Sequence, residues 1–439
     1  MNKVNVLEKI LEQSNVFLSG GAGVGKSFLT NEIIKLFKQK KKNVAVLGST
    51  AISAFNVGGV TLHSFFALGI CKNQNELAAL DKRQKDKLKK LEKIISKLDL
   101  IIIDEISMVS AAIFELVAFR LRSFKFSGKM LVVGDFCQLP PVKRRDESNT
   151  QSLFDNAFYA FDSSAWSAFE FKNLLLTKPK RTENHEFIKH LSALRSGQIS
   201  ASSLEYFEQF LFKNVSLESL NDDFTLLCSV NQKADFINES KLARLEGKEM
   251  IFKAKSEILE PSLDEKSFGA WVKSLNLNEE LRLKIGAKVI FCVNNYDAGY
   301  YNGEQGVITA FDEFENRPLI EITKADETKI ILERFKFSLE ELGEDKVLAT
   351  FSQFPIKLAY AMTIHKAQGM SIERLACDVE RIFENAQLYV ALSRSSEPVF
   401  LRLIYPHFAH FKQHFSRAVK FDKKVLEFYQ NQAFLNLEE

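Results

Sequence analysis

The chain has 439 residues, 46% of them hydrophobic and 26% charged, with a formal net charge of only +3. These values exclude a disordered, fibrous or strongly polycationic protein, and the length allows about three domains. Five scattered cysteines (Cys71, Cys137, Cys228, Cys292, Cys377) without a C-x-x-C pair argue against a disulfide framework or zinc site, and no stretch approaches the ~20 apolar residues of a membrane span.

The N-terminus begins an amphipathic stretch with no apolar signal core, so a cytoplasmic protein with no membrane association is expected. A strand-like run, Asn15-Val16-Phe17-Leu18, then leads into Gly20-Gly21-Ala22-Gly23-Val24-Gly25-Lys26-Ser27. This is the phosphate-loop pattern G-x-x-x-x-G-K-[ST], and a helix-like run from Phe28 to Ile34 follows it. Glycines let successive N–H groups turn toward a phosphate, and the helix start offers more of them. Lys26 is suited to the β- and γ-phosphates, and Ser27 to Mg²⁺.

A second strand is expected over Asn43–Leu47, followed by a Lys-rich helical appendage from Asn73 to Lys97. Leu98 to Ile103 reads as a buried parallel strand ending in Asp104-Glu105. The first carboxylate can hold Mg²⁺ and the second can orient and deprotonate water. Strands over Met130–Gly134 and Leu174–Leu176 complete an alternating α/β pattern, which implies a parallel sheet covered by helices. Gln138, just past Gly134-Asp135, is placed to sense a γ-phosphate.

From about residue 181 a second alternating region begins, with a strand at Phe224–Cys228 and a helix at Gln232–Leu245. Short β-rich runs then appear: Ala287–Val293, Gly306–Phe311, Pro318–Ile322 and Lys329–Leu332, with an Asn-Gly turn at Asn302-Gly303. They suggest a small inserted β-barrel. The α/β pattern resumes at Ile356, and a helical tail is expected over Phe408–Glu439. His407, His410 and His414 lie on this Phe-rich segment and read as structural. Arg394 ends the amphipathic run Gln387 to Ser393 and suits an arginine finger, which would make a nucleotide the link between two domains.

Taken together, V-A-V-L-G-S-T-A-I-S-A-F-N-V-G-G-V-T-L-H-S (Val44–Ser64), D-E-I-S-M-V, G-D-F-C-Q-L-P-P-V, T-I-H-K-A-Q-G-M and Y-V-A-L-S-R closely resemble the Pif-type DNA helicases. These form the Pif/RecD-like branch of helicase superfamily 1. The motifs occur in the family's order and span residues 20 to 394. The resemblance implies an α/β fold with two RecA-like parallel-sheet domains and an inserted small SH3-like β-barrel. The implied layout is a first RecA-like domain over 1–178, with a helical wedge at about 66–97. A second follows over 179–282, then the barrel over 283–350, and the second domain resumes over 351–439 with C-terminal helices. It also implies a monomeric, bacterial ATP-dependent DNA helicase using ATP and Mg²⁺. Such an enzyme moves 5′-to-3′ on single-stranded DNA and separates duplexes at forks, with family associations to DNA repair, recombination and telomere maintenance. An alternative is a nucleotide-gated translocase that grips single strands without processive unwinding, inside a larger recombination or repair complex. An RNA-directed ATPase is a further possibility.

Carried over by resemblance, Lys26, Ser27, Asp104 and Glu105 hold nucleotide and magnesium, and Gln138 senses the γ-phosphate. Arg181 matches the first arginine of the second domain and Arg394 the finger. Thr50, Thr61, His63, Ser64 and Phe65 in the first half, and Thr363, His365 and Lys366 in the second, match strand-contacting positions. His63, Phe65 and His365 can stack on bases. Three departures stand out: Lys3 falls near the usual adenine-reading Gln, Arg181 is followed by Thr182 rather than Gln, and Val24 replaces the common Thr.

Overall fold

A computed structural model describes residues 3–438 except 50–53, 55–58, 70, 142–156, 214–220, 262, 276, 296 and 341–345. The chain forms two compact units, Met1–Glu183 with Phe421–Glu439, and Asn184–Lys420.

In the first unit, apolar runs become the strands of one parallel sheet. They are β1 (Val16–Gly20), β2 (Val44–Gly48), β3 (Val60–Thr61), β4 (Leu100–Asp104), β5 (Lys129–Gly134) and β6 (Lys172–Leu176). Their order is β6-β1-β5-β4-β2-β3, with the C-terminal strand Leu435–Asn436 outside β6. Every residue of β1 and β4 is buried, as strands covered on both faces must be. Val16 and Leu18 join Leu29, Ile33 and Phe37 of helix Lys26–Gln39 in the core on one face. Phe17, between them, points the other way into rings of Phe136, Trp166, Phe428 and Phe434.

The Lys-rich stretch forms two helices, Gln74–Asp81 and Lys85–Ile95. The buried Arg120 holds the first by a two-pronged pairing to Asp81, both contacts at 2.6 Å. The tail departs from the expected continuation of the second region. Helix Lys423–Asn431 belongs to the first unit, and Leu435–Asn436 pairs with Leu174 and Leu175 of β6. Two forces bring it there: Phe428 and Phe434 close the aromatic cluster, and Glu438 pairs with Lys3 at 2.5 Å.

The second unit contains a parallel sheet of β7 (Thr225–Cys228), β18 (Ala361–Thr363), β19 (Leu375–Asp378) and β20 (Arg402–Ile404), in the order β18-β7-β19-β20. Between β7 and β18 the chain is β-rich, and strands begin earlier than the pattern suggests. β8 (Met250–Lys253) pairs with β10 (Glu280–Leu283), while β9 (Lys255–Ile258) pairs with β16 (Val347–Gln353), which also pairs with β15 (Phe335–Glu340). A five-stranded antiparallel sheet joins β11 (Lys288–Phe291), β12 (Gln305–Phe314), β13 (Arg317–Lys324), β14 (Lys329–Leu332) and β17 (Ile356–Leu358). The Asn-Gly turn lies between β11 and β12. Gly303 is at φ 94° there, and Glu304 N–H donates to the Tyr301 carbonyl. His414 stacks on Tyr405 and bonds the Val379 carbonyl, a structural role. Among the described residues no helix is long and apolar enough to cross a membrane.

Candidate functional site

Strand direction assembles the candidate nucleotide site. β1, β4 and β5 run parallel, so Gly20, Asp104 and Gly134 all lie at the carboxyl edge of one sheet, where open α/β sheets bind ligands. The loop after β1 is shaped by its glycines. A Cβ on Gly20 would lie 2.5 Å from the Leu176 carbonyl, and one on Gly23 would lie 2.7 Å from Arg181 Cβ. Gly23 and Gly25 adopt left-handed φ of 74° and 91°. Gly25 caps the 14-residue helix Lys26–Gln39 with no side-chain hydrogen bond, and the first turn carries no acid. Its amide groups and positive dipole end therefore suit an anion. Lys26 Nζ crosses the loop, donating to the carbonyls of Gly20 at 2.6 Å and Gly21 at 2.9 Å. The backbone tolerates Val24, which is buried against the core.

Asp104 is buried at the end of β4. Burial, with Glu105 beside it, pushes its carboxyl up to about 7, while the Glu105 N–H and the charge of Lys26 oppose the rise. The Glu105 N–H donates to Asp104 Oδ1 at 2.9 Å, and Glu105 itself holds a left-handed φ of 53°. A non-glycine residue in that conformation stores strain, commonly found where a side chain is aimed for function. Beyond β5, Gln138 is buried, with its amide Nε2 3.4 Å from Asp135 Oδ2 and its N–H donating to the Asp135 carbonyl.

Arg181 lies in the first unit, not in the second where the motif order places it. The chain leaving β6 passes over the phosphate loop: Lys180 N–H donates to the Gly23 carbonyl at 2.7 Å, and Arg181 packs on Gly23. Gly20–Ser27, Asp104, Glu105, Gln138 and Arg181 therefore all belong to one unit.

Arg394 belongs to the second unit, just past the buried helix Gln387–Leu392. It is 2% exposed, and its guanidinium donates to the Val390 carbonyl at 3.0 Å and to Ser393 Oγ at 2.9 Å. Its carbonyl accepts the Ile372 N–H, which ties it to the loop after β18.

The strand-contact candidates divide likewise. Thr61 caps helix Leu62–Phe65 by accepting the Ser64 N–H; His63 is half-buried and Ser64 exposed. Phe65 is a correction: it is buried edge-on against Phe66, so its ring serves the core and is not open for stacking on a base. Thr50 lies outside the described residues. In the second unit Thr363 is buried at the end of β18 and accepts the Lys366 N–H at 3.4 Å, while Lys366 is half-exposed. His365 Nε2 lies 3.1 Å from Glu384 Oε2.

Two residues near these sites escaped the sequence reading. Glu384 holds His365, and Tyr429 reaches Asp135 from the C-terminal helix. Neither lies in a motif, and their partners are distant in sequence.

Comparison with known proteins agrees with this geometry. A family model described as PIF1-like helicase matches residues 2–205. The ATP-dependent DNA helicase Pif1 of Campylobacter jejuni is 51% identical over 440 residues, covering 98% of each chain. A solved structure of Bacteroides sp. Pif1 in complex with ADP-AlF4 superposes with a TM-score of 0.79 at 26% identity, covering 98% of this chain and 96% of that one. Bacteroides Pif1 bound to ssDNA superposes at 0.66, with the same identity and coverage. The two parallel sheets are those of two RecA-like domains, and the chain belongs to the PIF1-like helicases.

Proposed function

We propose that this ATP-dependent helicase moves 5′-to-3′ along single-stranded DNA, separating duplexes as it hydrolyses Mg²⁺-bound ATP. The observation that carries the reading is the single sheet edge bearing the phosphate loop, Asp104-Glu105 and Gln138, with Arg181 against Gly23.

In this reading the loop amides and Lys26 bind the β- and γ-phosphates. A carboxyl raised chiefly by burial and further by Glu105, together with the Ser27 hydroxyl, fits a hard cation that takes oxygen ligands and shares phosphates with the protein. Ser27 and Asp104 would hold Mg²⁺, which when bound neutralises charge on the phosphate oxygens. Glu105 takes the proton from the attacking water. Gln138 senses the γ-phosphate, Arg181 attends the loop, and Arg394 acts as the finger. Thr61, His63 and Ser64, with Thr363, His365 and Lys366, grip phosphates and bases without sequence preference, so binding weakens with salt. A single protomer suffices for this mechanism.

Glu105→Gln is expected to retain ATP binding but slow hydrolysis by about 10²–10⁴-fold. Single-turnover ATPase paired with nucleotide titration checks this; weakened binding with normal turnover would reverse the assigned roles of Asp104 and Glu105. Direction is tested by strand displacement from duplexes bearing only a 5′ or only a 3′ tail. Displacement is expected from the 5′ tail alone. Efficient unwinding from a 3′ tail would refute the polarity, and DNA-stimulated ATPase without displacement from either would favour a strand-gripping translocase.

A further inference from the structure

The Asp135–Gln138 turn is held from a side that no motif reaches. Tyr429 lies in helix Lys423–Asn431, in the tail that folds into the first unit. Its hydroxyl meets Ser19 Oγ at 2.7 Å, the Phe136 N–H at 3.1 Å and Asp135 Oδ1 at 3.3 Å. A phenol offers one proton and two lone pairs. Donating to Asp135, it accepts from Phe136 N–H and from the Ser19 hydroxyl, so its hydrogen-bonding capacity is filled.

Each partner matters to the nucleotide site. Ser19 is buried in β1 directly before Gly20, where the phosphate loop begins. Asp135 is fully buried; Oδ1 also accepts the Cys137 N–H at 3.1 Å, and Oδ2 receives the Gln138 amide. The tyrosine ring is fixed by stacking on Phe434 at 5.4 Å, and beyond it Leu435–Asn436 is locked to β6. One hydroxyl therefore joins the strand that carries the phosphate loop to the turn that carries Gln138.

We infer that Tyr429 is a positioning residue for ATP hydrolysis, holding Gln138 through Asp135 and making the C-terminal tail part of the ATPase apparatus. The inference rests on the sensing role proposed for Gln138. Removal of the phenol proton leaves the buried Asp135 carboxylate with one donor fewer, and the Gln138 amide, already on its other oxygen, is a side chain that can shift to compensate. The sensor would then spend less time aligned, which slows the chemical step without weakening the loop's hold on the β-phosphate.

The test is Tyr429→Phe in the full chain, which keeps the ring and its stacking. With saturating single-stranded DNA, kcat for ATP is expected to fall about tenfold, as for groups that orient a functional ligand from behind. KM for ATP and affinity for a fluorescent ADP analogue should stay within about twofold, while melting falls modestly from the lost buried hydrogen bonds. A purely structural role would instead weaken ADP affinity together with kcat. Gln138→Ala supplies the second arm: if Tyr429 acts through Gln138, adding Tyr429→Phe to that variant slows it no further. Wild-type kcat in Tyr429→Phe, or losses that multiply in the double variant, would overturn the inference. Failure of the directional reading would appear separately, as wild-type protein that hydrolyses ATP without displacing a 5′-tailed duplex.

Discussion

Lys26→Ala is expected to abolish DNA-stimulated ATP turnover while the fold persists. Lys26 Nζ lies on the phosphate-loop carbonyls, at 2.6 and 2.9 Å from Gly20 and Gly21. Those bonds hold the ammonium over the loop, where β- and γ-phosphates would replace the carbonyls as its partners. Removing a preorganised charge from a developing phosphoryl centre should cost about 10²–10³-fold in rate, on top of weakened nucleotide binding. A second effect acts in the same direction. Lys26 lowers the Asp104 carboxyl from the raised value set by burial and Glu105, so its loss leaves Asp104 more readily protonated and poorer as a metal ligand. The fold should survive because the core under the loop is built from Val16, Leu18, Leu29 and Ile33, none of which depends on the lysine. Stability should change by no more than about 1 kcal/mol. Phosphate release with and without single-stranded DNA, beside a thermal melt, measures both. Near-normal DNA-dependent turnover in Lys26→Ala would remove the basis of the nucleotide assignment.

The parts of this molecule legible in the sequence are those whose physics is local. Val16 to Leu18 and Leu100 to Ile103 announce buried parallel strands by apolar character, and Gly-Lys-Ser announces the loop by residue type. The Asp104-Glu105 pair is legible because both acids stand at a strand end. What was hidden depends on distant partners. Every residue of Lys255–Ile258 is exposed and the segment carries no apolar pattern; pairing with β16 makes it a strand. Leu435–Asn436 is two residues long and acquires its strand from the β6 edge. Phe65 looked like a stacking ring because a motif placed it beside His63, but burial against Phe66 decides its role. Arg181 is legible from its motif, but its place in the first unit, like the reach of Tyr429 to the nucleotide site, follows from the path of the chain beyond β6 and beyond residue 420, which no spacing encodes.

Arg394→Ala is expected to slow ATP hydrolysis by about 10³–10⁵-fold, the range of arginine fingers, with a much smaller loss of ATP affinity. The charge is needed most while the γ-phosphoryl is in transit and is worth little in the ground state. Burial complicates the experiment, because deleting a 2% exposed arginine also removes packing. The neighbouring polar groups limit that damage. Ser393 Oγ, which accepts from the guanidinium, also donates to the Val390 carbonyl at 2.9 Å, so no hydroxyl is stranded by truncation. A stability cost of about 1–3 kcal/mol is then reasonable for the lost volume and bonds. Arg394→Lys separates the two effects. It keeps most of the bulk and the charge but lacks the planar fork, so it should restore melting while remaining far slower than wild type. The decisive readings are kcat at saturating ATP and DNA, nucleotide affinity, and the melt, taken for all three proteins. If Arg394→Lys melts normally and turns over at the wild-type rate, the guanidinium is not acting on the phosphoryl group. A rate that instead tracks melting temperature across the series would make Arg394 a packing residue of its helix end.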